Sequence, residues 1–248
     1  MFAVLDGHGE QGDKVCKAVK KYITELVERR KQTFITNSEL ALIELFRDVN
    51  EALDDDVSLD VYLSGTTIVL ALVSLTKITI ANLGDCRAII VKEDASSEFS
   101  YNCLTRDHTC MNEVEVERIR AAGARVEKTG SPPLPEDAPL RIFKGSLPYP
   151  GLVMTRTLGD SAARKLGVTY EPEITTYNVE STDLCLVLAT DGVWDALEND
   201  KVAKIASIAK KNVQKASNIL AEKSLKYLGK KFIDDNTTNL IVSLKTSS

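Results

Sequence analysis

Apolar positions along the chain follow two periods, which alternate in blocks. Phe2 to Leu5 is a short apolar run broken by Asp6-Gly7-His8-Gly9, which predicts a buried strand entering a tight loop. Val15, Ala18, Val19, Tyr22, Ile23, Leu26 and Val27 then recur at helical spacing and make one apolar face. A second helix is predicted over Ser38 to Leu53, with Leu42, Ile43, Phe46, Val49 and Leu53 on one side. Asp54, Asp55 and Asp56 at its end oppose the helix dipole and read as a solvated loop.

A strand-rich block follows. Thr66 to Leu75, Lys77 to Leu83 and Arg87 to Lys92 are rich in Ile, Val, Leu and Thr. The spacing leaves no room for crossover helices, so these strands are expected to pair antiparallel, with a hairpin turn at Gly84-Asp85. A third helix, Met111 to Ala122, stops at Gly123. Gly130 to Pro150 holds six of the seven prolines and is the one irregular stretch of any length, either a functional lid or a plain surface loop. Leu184 to Thr190 is a dense apolar strand ending at Asp191-Gly192. Helices are predicted over Asp200 to Ala209 and Val213 to Leu228, and a last strand over Asn239 to Leu244 follows Asp234-Asp235-Asn236. The simplest assembly is one α+β domain over 1–248, with helices covering antiparallel sheet.

Composition narrows the function classes. The 248 residues are 44% hydrophobic and 27% charged, with a formal net charge of −5. No basic stripe points to nucleic acid, and no apolar run reaches the ~20 residues of a membrane span. Cys16, Cys86, Cys103, Cys110 and Cys185 are odd in number and form no CxxC pair. Neither a zinc site nor a disulfide framework is expected, and free thiols fit a cytoplasmic or nuclear location.

The aspartates carry the candidate chemistry. Asp6 and Asp191 end hydrophobic strands, and Asp235 shortly precedes one. Carboxylates gathered at the rim of a sheet repel one another unless a cation sits between them. Hard oxygen ligands suit Mg²⁺ or Mn²⁺. Periodicity does not say that the three meet, and an Asp-Gly pair taken alone is more often a turn.

A family resemblance joins these positions. Asp6-Gly7-His8-Gly9 resembles the DGHG motif of the type 2C serine/threonine protein phosphatases. In the same order, Ser64-Gly65-Thr66-Thr67 resembles their SGTT, and Asn82 to Ala88 their NxGDSRA, with Cys86 where serine is usual. Leu104 to His108 resembles LTxDH, Leu158-Gly159-Asp160 ALGD and Pro172-Glu173-Ile174 PEV. Asp191 to Asp195 matches DGxWD, and Asp235 to Thr238 is similar to DNxT.

The resemblance implies an αββα sandwich of two antiparallel sheets flanked by helices. It implies hydrolysis of phosphoserine and phosphothreonine in proteins by a water activated between two Mg²⁺ or Mn²⁺ ions. Asp6, the Gly7 carbonyl, Asp191 and Asp235 would hold these, and Asp107, Asp191 and Asp195 a third. His8 stands at the position of the general acid, and residues 125–166 include the family's variable flap. His108 reads as structural, Asn82 and Asp85 as turn and strand-end residues and Trp194 as core packing; Arg156 and Arg164 could approach phosphate but read as solvated arginines.

Members of that family carry one more strand, with a phosphate-clamping arginine and a Glu-Asp pair, before the DGHG strand. This chain starts at Met1-Phe2-Ala3, and no later segment offers a substitute. It is a fragment, or a partner supplies the strand, or the protein departs from the family. The expected consequences are weaker activity and a sheet edge open to dimerisation. The alternative function is a catalytically weakened or inactive module that keeps the fold and binds phosphoproteins.

Overall fold

The computed structural model describes residues 1–129, 133–134 and 138–244. The chain begins β1 (Phe2–His8), α1 (Gly12–Arg29), α2 (Lys31–Thr36), α3 (Ser38–Asp55). It continues β2 (Gly65–Val73), β3 (Lys77–Leu83), β4 (Arg87–Glu93), β5 (Phe99–Cys103), α4 (Glu113–Ala121). Then come β6 (Arg125–Lys128), β7 (Leu140–Phe143), β8 (Pro150–Leu152), β9 (Leu158–Gly159) and a 3₁₀ turn at Ser161–Leu166. The last part is β10 (Glu173–Asn178), β11 (Asp183–Ala189), α5 (Asp191–Trp194), α6 (Asn199–Ala206), α7 (Val213–Lys231) and β12 (Asn239–Ser243).

Two antiparallel sheets result, ordered β1-β2-β3-β10 (with β9 on β2) and β12-β11-β4-β5. Because side chains alternate across a strand, each sheet feeds two cores. Ile68 and Leu70 of β2 pack with Val15, Val19, Leu42, Phe46 and Val49 of α1 and α3. Their neighbours Val69 and Ala71 meet Ala88, Ile90, Leu186 and Leu188 of the other sheet. Ile89, Val91, Cys185 and Val187 face the opposite way, onto Val202, Ala206, Ala216 and Leu220 of the C-terminal helices. The layers are therefore helix, sheet, sheet, helix, as expected.

The predicted hairpin at Gly84-Asp85 is a correction. β3 and β4 lie in different sheets, and the residues between them carry the chain from one to the other. The backbone groups that would close a hairpin are otherwise engaged. Gly84 N–H donates to His108 Nδ1 (3.2 Å), and its carbonyl accepts from His108 N–H (2.9 Å).

The stretch read as irregular contributes β7 and runs into the first residue of β8, and these two strands form a small sheet with β6. Ile142 and Leu152 from it pack on Val116 and Ile119 of α4. Within this stretch, and within the flap expected at 125–166, residues 130–132 and 135–137 lie outside those described. No helix among the described residues is long and apolar enough to cross a membrane.

Candidate active site

Strand directions place the aspartates at one end of the sandwich. β1 and β3 both pair antiparallel with β2, so their C-terminal ends, at Asp6 and just before Asp85, lie at the same edge. β11 runs antiparallel to β4 and β12, so Asp191, past its end, comes to the starts of those two strands. The β3-to-β4 connection brings both sheet ends together. Asp6 also falls two residues after Val4, on the strand face that looks between the sheets.

Local bonds fix these positions. Thr66 Oγ1 donates to the Asp6 carbonyl (2.8 Å). Thr190 N–H donates to the Thr238 carbonyl (3.0 Å), and Thr238 N–H to Thr190 Oγ1 (3.1 Å), which ties the Asp235 loop to the end of β11. Gly192 has no side chain for a reason: a Cβ there would collide with the Asn236 carbonyl. The segments that carry Asp191 and Asp235 touch backbone to backbone.

A cavity of about 150 Å³ is lined by Asp6, Gly7, His8, Thr67, Asp85, Met154, Asp191 and Asp235. No Lys or Arg is among them. Burial is the first cause that raises the pKa of both Asp6 and Asp191. Each of the two also acts on the other: the neighbouring Asp6 side chain raises Asp191 further, and the Asp235 charge adds to both. Burial, then the Asp191 charge, pushes Asp85 up to about 7. Burial also raises Asp235. Asp191 Oδ1 is buried with no hydrogen-bond partner.

Asp85 is buried and Asp6, Asp191 and Asp235 are half-buried, and all four have raised pKa values with no Lys or Arg among the lining residues. The donor set is all oxygen, the set that suits Mg²⁺ or Mn²⁺. The cluster is open: among the described residues no three His, Cys, Asp or Glu side chains close tightly enough to hold an ion by themselves. Main-chain or water oxygens would complete a shell there, as Mg²⁺ commonly retains several waters.

A second cavity, of about 390 Å³, shares Asp85, Met154 and Asp191 with the first and extends under Leu140 and Arg141 of β7. Asp107 and Asp195 line it. Both oxygens of Asp107 are taken by Arg87 (Nε to Oδ1 3.0 Å, Nη2 to Oδ2 2.7 Å). Asp107 is thus already paired, whereas Asp195 is exposed.

His8 lies on the wall of the smaller cavity, with Nε2 2.6 Å from Asp160 Oδ2. His108 is structural, as read: Nδ1 accepts from Gly84 and Nε2 donates to Glu173 Oε2 (3.0 Å). Trp194 is buried, donates Nε1–H to the Ala189 carbonyl (2.8 Å), and carries the Arg87 guanidinium over its ring.

Three readings need correction. Asp85 is a wall residue of the cavity as well as a turn residue. The signal was present, since Asp85 follows an apolar strand just as Asp6 and Asp191 do. Arg156 is not solvated: it is bound to Glu115 (Nη2 to Oε1 2.7 Å) and to the Glu171 carbonyl (3.0 Å). Arg164 is half-buried over the Tyr170 ring and donates to Asn50 Oδ1 (2.8 Å) and the Thr157 carbonyl (3.0 Å). Neither arginine is free to meet a phosphate. Reading solvent exposure from charge alone fails where a partner is remote in sequence.

Comparison with known proteins gives a consistent answer. A family model described as Protein phosphatase 2C matches residues 1–233. The chain is 31% identical to Probable protein phosphatase 2C 35 of Arabidopsis thaliana, over 100% of this chain and 74% of the relative. It is 33% identical to Probable protein phosphatase 2C 72 of the same plant, over 90% and 69%. Among solved structures, a serine-threonine phosphatase 2C from Toxoplasma gondii superposes with a TM-score of 0.79 at 19% identity, covering 97% of this chain and 83% of that one. A C. elegans sex determining protein does so with a TM-score of 0.79 at 22% identity, covering 98% and 56%. At these identities the two structures speak for the fold.

Proposed function

The chain belongs to the protein phosphatase 2C family of serine/threonine protein phosphatases, and from that premise we propose that it hydrolyses phosphoserine and phosphothreonine in proteins with the help of divalent metal ions. One observation carries the metal dependence. Asp6, Asp85, Asp191 and Asp235 line one small cavity together, with no Lys or Arg among its described lining residues.

The residues fit Mg²⁺ or Mn²⁺. Asp6, the Gly7 carbonyl, Asp191 and Asp235 would hold two ions. Asp191 and Asp195 would serve a third, with Asp107 available only at the cost of its pair with Arg87. What the metals supply is hydroxide near neutral pH and neutralisation of charge on the phosphoryl oxygens. The remaining work belongs to the chain. His8 gives a proton to the departing serine or threonine oxygen, a poor leaving group without one. The wider cavity beneath β7 receives the flanking peptide.

The test is hydrolysis of a phosphothreonine peptide with Mn²⁺ and with chelator, with Asp191→Ala as control. Manganese-dependent turnover that the variant loses is expected. Turnover unaffected by chelation would sink the metal-dependent reading.

A further inference from the structure

The strand register puts three positions in one row. His8 of β1 lies opposite Gly65 of β2, and Gly65 lies opposite Gly159 of β9. Asp160 follows immediately. Its backbone is pinned by its N–H to the Ser64 carbonyl (3.0 Å) and turns left-handed (φ 48°). The side chain then passes over Gly65 to reach His8. A Cβ at Gly65 would collide with Asp160 Oδ2, so the absent side chain at Gly65 opens the path.

The Asp160 carboxyl is 1% exposed as a residue, and its hydrogen bond is to His8 Nε2, at 2.6 Å. Its Oδ1 and the His8 Nδ1 are both buried without partners. A buried carboxylate held this firmly against one ring nitrogen fixes both the orientation of the ring and which nitrogen carries the proton.

We propose that Asp160 is the positioning residue for His8: it accepts the Nε2 proton, locks the ring and leaves Nδ1 as the nitrogen that serves the reaction. The inference rests on the reading of His8 as general acid. As the bond from phosphorus to the serine or threonine oxygen breaks, its electron pair goes to that oxygen. The oxygen takes the proton from Nδ1. The ring is left neutral, with Nε2–H still donated to Asp160.

Leaving-group chemistry tests this. A threonine oxygen needs the proton, whereas 4-nitrophenolate leaves without one. In Asp160→Ala, with Mn²⁺, kcat on a phosphothreonine peptide is expected to fall about 10²-fold, with KM little changed. Hydrolysis of 4-nitrophenyl phosphate is expected to persist, which also shows that the variant folds. Equal losses on both substrates, or none on the peptide, would overturn the inference. No hydrolysis of either substrate by the unaltered chain would instead remove the phosphatase reading beneath it. A second measurement needs no variant. The chain has two histidines, so long-range ¹H–¹⁵N spectra of the full chain can locate the ring protons. A proton on Nε2 of His8 is expected, and a neutral ring protonated on Nδ1 alone would contradict the arrangement.

Discussion

Two groups of buried carboxyls in this molecule have opposite electrostatics. Glu115 on α4 is 1% exposed, yet both its oxygens are satisfied. Arg118 donates to Oε1 (2.9 Å) and Oε2 (2.7 Å), Arg156 to Oε1 (2.7 Å), and Thr155 Oγ1 to Oε2 (2.5 Å). Burial would raise its pKa, but the bonds from Arg156, Arg118 and Thr155 outweigh burial and hold the carboxyl well below the usual range. At the aspartate cavity burial outweighs the opposing contributions and like charges add to it, so Asp191, Asp6 and Asp85 all move up. A buried carboxylate is costly without compensation. Where the chain carries the compensating cations itself, the group is architecture. Where it leaves them out, the group has the chemistry that the proposed metal ions would satisfy.

One chemical change made at both places separates the two. Asp191→Asn removes a charge that the metal-free protein holds at a cost. With metals, phosphothreonine turnover is expected to fall by at least about 10²-fold, since even indirect support of a metal costs that much. In chelator, the melting temperature is expected to stay level or rise. A metal-free variant markedly less stable than the parent would erase the contrast, because Asp191 would then be holding the fold together.

Glu115→Gln should do the reverse. It strips charge from a pair that two arginines have been built around, and it turns an amide N–H₂ toward their donors. Breaking a buried pair from one side costs about 3–5 kcal/mol, read as a fall in the urea midpoint. Turnover per folded molecule should be retained. The sign of the pH effect follows from the depressed pKa. The pair contributes in full above the unfolded glutamate value of about 4.3 and is lost as pH falls toward the lower folded value. The variant should therefore lack part of the parent's acid-side loss of stability.

Much of this was legible in the sequence, for stated physical reasons. Helices over antiparallel sheet follow from dense apolar strands between helical stretches, whereas the four-layer sandwich came from the family resemblance of the ordered motifs. Asp6, Asp191 and Asp235 were found because a charge at the end of an apolar run stands out. What stayed hidden depends on contacts remote along the chain. Arg156 reads as a surface arginine until Glu115, on another element, is brought against it. The Gly84 turn looks like a hairpin until His108 occupies its backbone groups. β5 escaped notice although Phe99, Tyr101 and Cys103 alternate with Ser100 and Asn102, because the run is five residues long and only Tyr101 is even half-buried. The pairing of Asp160 with His8 spans 152 positions and needs the register of three strands.

The subtlest test of the comparison is the coupling of metal, pH and stability. A carboxyl whose folded pKa is raised stabilises the fold fully below its unfolded value, about 3.9 for aspartate. That contribution is lost as pH rises through the folded value, about 7 for Asp85 and likewise raised for Asp191 and Asp6. In chelator, the chain should lose stability between about pH 4 and pH 7, the window in which Glu115 contributes without change. On the proposed function, Mn²⁺ would bind the ionised carboxylates and so compete with protons for them. Its stabilisation should therefore be larger at pH 7.5 than at pH 5, approaching about 2.7 kcal/mol when the ion stands at a hundred times its dissociation constant. Thermal melts at the two pH values, with and without Mn²⁺, measure this directly. In Glu115→Gln the metal-induced shift should match the parent's, and in Asp191→Asn it should shrink. A shift of equal size at both pH values would mean that the aspartates are already ionised without metal, and the contrast between the two carboxyl groups would fail at its root.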